Sequence, residues 1–185
     1  RAAGHIAEEF RRLLMVPSGD PPLDVDADLR PEGKQGALVR SLGSYAAYYA
    51  RWSATWEAQA LLRADVVAGD ESLGRAFRAL IDPLRWSGSL SPDEVLEVRR
   101  LKARMESERL PRGADPALHT KLGRGGLSDV EWVVQLMQLE HADEVAGLRT
   151  SRTIPALHAA LGAGLIGVKD ATELAGAWQM ATSIR

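Results

Sequence analysis

From Ser44 to the C-terminus the apolar residues recur at helical spacing and never return to strict alternation, and this constrains the fold more than any other feature. The clearest case is Val130 to His141. Val130, Trp132, Val133, Val134, Leu136, Met137 and Leu139 leave little polar circumference, as expected of the central buried helix of a bundle. Its polar residues Glu131, Gln135 and Gln138 fall at i, i+4 and i+7. A carboxylate and two amides on so apolar a helix need partners, which predicts a cleft or a neighbouring basic group.

Other helices are equally legible. Tyr45, Tyr48, Tyr49, Trp52 and Trp56 form an aromatic ladder at helical spacing, which reads as core rather than binding surface. Glu71 to Ile81 forms a further helix after Gly69 and Asp70. Ser91-Pro92-Asp93-Glu94 supplies a cap, a proline suited to the first turn and a capping-box glutamate. Val95, Val98, Leu101 and Met105 then line a buried stripe, with Arg99, Arg100, Lys102 and Arg104 on a solvated face. Leu110 to Gly126 is a Pro/Gly-rich connection, and Ser128 or Asp129 is expected to cap the helix after it. Ile154 to Leu161 and Asp170 to Ile184 complete the set.

The first ~45 residues read differently, as part of an α/β or α+β unit. Ala2 to Val16 places Ile6, Phe10, Leu13 and Leu14 on one face of a helix that would cover a sheet. PSGDPP breaks the chain, and in Leu23 to Pro31 the apolar Leu23, Val25, Ala27 and Leu29 alternate with Asp24, Asp26 and Asp28. A strand there would line three carboxylates along one face, an arrangement that a divalent metal stabilises, although a solvent-facing strand accounts for the pattern equally well. PEGKQG makes a turn, and Ala37 to Ser41 is a short candidate partner strand.

Composition narrows the functional classes. The chain has 185 residues, 45% hydrophobic and 26% charged, with a net charge of −2, so neither nucleic acid nor an anionic membrane is an indicated partner. Without cysteine there is no disulfide framework, thiolate metal site or cysteine nucleophile, in keeping with a cytoplasmic setting. No apolar run approaches the ~20 residues of a membrane span. The histidines lack metal-ligand spacing, and no serine nucleophile elbow is present. Gly162-Ala-Gly164-Leu-Ile-Gly167 spells a dinucleotide fingerprint but follows a helix rather than a strand, and reads as a helix-ending loop. The chain begins at Arg1 inside a helical pattern, which reads as an excised piece of a longer protein.

In Leu118 to Trp132, LHTKLGRGGLSDVEW, glycines flanked by Lys121 and Arg124 open onto a helix N-terminus. These are the ingredients of a phosphate site, and equally of a plain loop and cap.

The order VDADLRPEGKQGALVRSL, TWEAQALLRADVVAGD, TKLGRGGLSDVEWVVQ resembles the glutamine synthetase adenylyltransferases, and ESERLPRGADP is similar to their actinobacterial branch. Such proteins carry two homologous nucleotidyltransferase halves. One transfers AMP from ATP to a tyrosine of glutamine synthetase, and the other removes it by phosphorolysis. The TWEAQALLRADVVAGD wording is closer to the C-terminal, adenylylating half.

The resemblance implies three acidic residues holding two Mg²⁺ ions, two of them on an Asp-x-Asp strand upstream of Arg1. Asp26 matches the third acid, Asp24 is a helper in the metal site, and Asp28 replaces the family's usual arginine. Arg30 matches a phosphate-binding fork, with Lys121 and Arg124 as further nucleotide or phosphate contacts. Glu57, Gln59, Gly125, Gly126, Asp129 and Glu131 are motif residues without an assigned role.

The expectation is a mainly α fold: residues 1–43 as the C-terminal part of a nucleotidyltransferase palm, a short α/β remnant, and 44–185 as a helical bundle truncated at its C-terminus, similar to the PII-uridylyltransferase helical domain. Alone, the piece should be inactive. The competing expectation is a non-catalytic regulatory module docking glutamine synthetase or a PII signal protein.

Overall fold

A computed structural model describes residues 2–17, 23 and 25–184. The chain divides into two compact units, Arg1–Ser53 and Ala54–Arg185. Among the described residues all regular structure is helical, as expected of a mainly α chain. Among the described residues no helix is long and apolar enough to cross a membrane.

The first unit contains helix α1 (Ala2–Leu14), a single 3-10 turn (Gly33–Gln35) and helix α2 (Leu42–Trp52). No residue of α1 is buried. Ile6, Phe10 and Leu13 leave more than 60% of their surface open, so the predicted apolar face exists and is uncovered in this chain. The Ser41 hydroxyl accepts the Ser44 N–H and caps α2. Of the aromatic ladder, Tyr49 is buried, with the Tyr48 ring edge-on at 5.4 Å and the Tyr45 ring stacked at 6.1 Å. Trp52 is exposed and lies outside that cluster.

The expected strand over Leu23 to Leu29 and its short partner over Ala37 to Ser41 are not formed by the described residues. Residues 25–27 are irregular, and Asp28 onward turns. A strand needs a neighbouring strand to take up its backbone groups. Here the Val25 carbonyl accepts from Arg11 Nε at 3.2 Å and the Ala27 carbonyl from Arg30 at 2.5 Å. Side chains occupy the acceptors that a ladder would have used.

The described residues of the second unit form α3 (Thr55–Leu61), α4 (Glu71–Arg85), α5 (Pro92–Arg109), α6 (Leu127–His141), α7 (Thr153–Gly162) and α8 (Val168–Ile184), with a 3-10 turn (Ala146–Leu148) before α7. Helix α6 is central, packed against α3, α5, α7 and α8. Its Val134 and Leu139 join Leu62, Trp86, Leu148, Leu157 and Ala160 in one core. Each fully buried leucine there contributes about 1.5–3 kcal/mol relative to exposure.

Two boundaries and one buried stripe depart from expectation. Helix α4 runs through Pro83 to Arg85, because only Leu84 and Arg85 follow the proline and Arg85 ties that end to the Leu61 and Ala64 carbonyls at 3.0 and 2.6 Å. Helix α5 begins as predicted, with the Ser91–Glu94 capping box intact, but Val98 is its single buried residue. Helix α6 starts at Leu127 with Gly126 as its cap residue, so Ser128 and Asp129 lie inside the first turn.

The Gly162 to Gly167 stretch is a helix-ending loop. Leu165 N–H reaches the Ala160 carbonyl and Gly164 N–H the Leu161 carbonyl, both at 3.0 Å. Gly164 takes φ +74°, as this terminating motif requires.

Candidate functional site

In the acidic segment Asp26 is exposed, and its Oδ1 accepts the Asp28 N–H at 2.8 Å. This is an Asx turn, in which a short carboxylate replaces a backbone acceptor. Its other oxygen has no protein partner among the described residues. Asp28 turns to Lys34, 3.3 Å away. Asp24 lies outside the described residues. The face of three carboxylates that a strand would have made is therefore absent from the described part, where no group of three or more His, Asp or Glu is placed to hold a metal.

Arg30 is committed locally. Its Nε donates to the Gly36 carbonyl at 2.9 Å, and its two Nη atoms donate to Ala27 at 2.5 Å and Lys34 at 3.1 Å. All three guanidinium nitrogens thus close the 27–36 turn, where the sequence suggested a fork open to phosphate.

Glycine at 36 is obligatory for this closure, since a Cβ would sit 1.9 Å from the Pro31 carbonyl oxygen. Arg40 completes the assembly by pairing with Glu32 and lying over the Tyr48 ring at 5.5 Å. One acid, Asp26, is thereby held outward on a turn locked from several sides.

The helical unit gives each of the remaining polar motif residues a partner. Glu57 is buried, and its carboxylate accepts the Ala54 N–H at 3.2 Å, supplying the reciprocal half of a capping box. Gln59 is buried and donates to Gln135 at 2.8 Å. Glu131 meets Arg63 at 3.3 Å, and the same guanidinium reaches Thr153 at 3.0 Å. Gln138 donates to the Leu148 and Thr150 carbonyls, both at 2.7 Å. The polar stripe of α6 thus finds the partners it needs, in α3, the segment after it, and the chain leading into α7.

The Lys121 to Gly126 loop is closed on itself. Leu127 and Ser128 N–H donate to the Thr120 and Lys121 carbonyls at 2.9 and 3.0 Å, Asp129 N–H donates to Gly126, and Gly125 N–H donates to the Asp129 carboxylate at 2.7 Å. The backbone donors that would cradle a phosphate at this helix start are spent internally. Gly123 and Gly126 are required because a Cβ would meet carbonyl oxygens at 2.1 and 2.7 Å. The side chains of Lys121 and Arg124 are exposed.

Lys102, expected on a solvated face, instead joins Asp129 of α6 and Glu106 of its own helix. Burial pulls its pKa down, but the two carboxylates outweigh that and hold it above the ordinary lysine value. Its position one turn after Val98 was the available signal.

Two family models divide the chain. Residues 3–80 match glutamate-ammonia ligase adenylyltransferase, and residues 98–185 match GlnD PII-uridylyltransferase. Among curated proteins, the chain is 65% identical over 185 residues to the bifunctional glutamine synthetase adenylyltransferase/adenylyl-removing enzyme of Streptomyces coelicolor, covering all of this chain and 18% of that protein. The protein of the same name from Mycobacterium leprae is 57% identical over 186 residues, with 100% and 18% covered. That from Nocardia farcinica is 55% identical over 184, with 99% and 18% covered. The chain spans about a fifth of these relatives' length, and the family read from the motifs is the family matched.

Proposed function

We infer the role of this chain from its membership, as a segment, of the glutamine synthetase adenylyltransferase family. The parent protein transfers AMP from ATP to a tyrosine of glutamine synthetase in the cytoplasm, and its paired half removes the AMP by phosphorolysis. Residues 1–43 close the nucleotidyltransferase domain, and 44–185 form the helical domain that follows. The motif wording supports the adenylylating half as the segment's origin.

The single observation that carries the reading is Asp26. One carboxylate oxygen is fixed by the Asp28 N–H, and the other is left outward on a turn that Arg30 and Arg40 hold shut. That is a fitting single ligand for Mg²⁺, which takes few protein carboxylates and keeps waters or substrate phosphates in its other positions. Asp24 is a helper in the same metal site. Bound Mg²⁺ would neutralise charge on the triphosphate of ATP.

The residues of this chain do the positioning. Arg30 fixes the turn rather than the nucleotide, and Lys34 draws the Asp28 carboxylate aside. Lys121 and Arg124 can approach a phosphate through their side chains alone. Glu57, Gln59, Asp129 and Glu131 hold the helical unit together, and Gly125 and Gly126 shape its loop. The uncovered face of α1 suits a helix that seats against the rest of a catalytic domain.

In the parent enzyme, Asp26→Asn is expected to abolish AMP transfer while glutamine synthetase binding stays within about twofold. Lost binding with normal turnover would refute the catalytic assignment. That outcome would favour the second reading, a regulatory module docking glutamine synthetase or a PII signal protein, which the PII-uridylyltransferase match over residues 98–185 supports.

A further inference from the structure

We propose that the groove between α4 and the Arg149 to Arg152 segment binds a phosphate-bearing small molecule, with Arg78, Arg149 and Arg152 as its anion contacts. The groove encloses about 640 Å³, within the range of small-molecule sites of roughly 300–1,000 Å³. Four arginines, 78, 85, 149 and 152, line it against two acids, Asp65 and Asp82.

The distribution of that charge is what points to a ligand. Asp82 is committed to Arg85, with contacts of 3.0 and 2.9 Å, and Arg85 also lies over the Trp86 ring at 4.7 Å. Arg85 is buried and Asp82 half-exposed, and the pair makes a neutral floor. Asp65 accepts the Val66 N–H at 2.8 Å. On the rim, Arg149 is anchored through Nε to the Ala142 carbonyl at 2.7 Å and through one Nη to Asp143 at 3.0 Å, leaving the other Nη without a protein acceptor among the described residues. The Arg78 and Arg152 side chains are exposed and likewise have no protein acceptor there.

Thr150 and Ser151 stand between Arg149 and Arg152, and the Thr150 hydroxyl accepts the Arg152 N–H at 3.2 Å, so its own proton is free to donate. Planar guanidinium forks and hydroxyls converging on an open, net positive space suit a tetrahedral polyanion that accepts from several directions at once. Free inorganic phosphate, pyrophosphate and the phosphates of ATP share that chemistry.

The test is isothermal titration of the 185-residue chain with inorganic phosphate, pyrophosphate and ATP in turn, at low salt. Saturable one-to-one binding of at least one is expected, and the anion that binds best identifies the source. The double variant Arg78→Gln/Arg152→Gln should weaken it by about tenfold or more, as removal of charged hydrogen bonds does. Both positions are exposed, so the helical circular dichroism should be unchanged. Arg104→Gln, on the exposed face of α5, should leave the affinity as it is. Absence of saturable binding at millimolar anion would overturn the proposal. So would equal affinity in the double variant, or loss of binding in Arg104→Gln instead.

Discussion

Replacing Gln138 by leucine isolates what the polar stripe of α6 does. The side chain is 3% exposed and donates to two carbonyls at 2.7 Å, from Leu148 and Thr150. Leucine is of similar size, so little cavity is created. The Leu148 carbonyl keeps the Thr150 N–H at 2.8 Å, and its loss should be about 0.5–1.5 kcal/mol. The Thr150 carbonyl loses the only protein donor found for it among the described residues, at a cost of about 1–3 kcal/mol. Burying leucine in place of an amide returns about 1 kcal/mol. The expected net destabilisation is therefore about 0.5–3.5 kcal/mol.

Urea unfolding followed by tryptophan fluorescence measures this, because four of the five tryptophans lie in the second unit. The midpoint should fall with the slope unchanged. Gln138→Glu should fall further at neutral pH, since a carboxylate would face two carbonyl oxygens. A midpoint for Gln138→Leu within about 0.5 kcal/mol of the parent chain would refute the reasoning, since that is the scatter of ordinary surface substitutions.

Two further outcomes follow from the same geometry. Lys102→Met severs the tie between α5 and α6 and should lower stability by up to about 1 kcal/mol, discounted for the partial exposure of the carboxylates. The lysine pKa is raised on folding, so that contribution should be constant through neutral pH, where both states are protonated, and should vanish only as pH rises past the ordinary lysine value of about 10.4. Urea midpoints of both proteins between pH 6 and 11 check this, and a difference that disappears already near pH 7 would contradict it. Gly123→Ala places a Cβ 2.1 Å from the Pro116 carbonyl oxygen, so it should open the loop before α6 and cost about 2 kcal/mol or more, read as faster amide exchange at Gly125 and Leu127.

Helical periodicity was enough to place α2 and α4 to α8, because an apolar stripe repeating every three to four residues has few other ways to be buried. The capping box at Ser91 and the glycine stop at Gly164 could be read residue by residue, since both are local backbone chemistry. The need for partners along Glu131, Gln135 and Gln138 was also visible. Their identities, Arg63, Gln59 and two carbonyls far along the chain, were not.

The alternation of Leu23 to Leu29 misled for a related reason. A period of two states which face each side chain could take, whereas a strand exists only where another strand answers its backbone. In this chain Arg11 and Arg30 answer it instead. Arg30 and Arg124 look alike in sequence, yet one is spent on three carbonyls while the other is exposed.

The sequence by itself determined most of the helices, the Ser91 cap and the family, because these depend on neighbours within a few residues or on motifs kept in order. Only the tertiary structure decided which charges are consumed and which stay available. Asp26 keeps one free oxygen, Lys102 is paired, and Arg78 and Arg152 face an open groove. A charge is silenced or exposed by whatever folding brings within about 3 Å of it, and those contacts here span up to 90 residues.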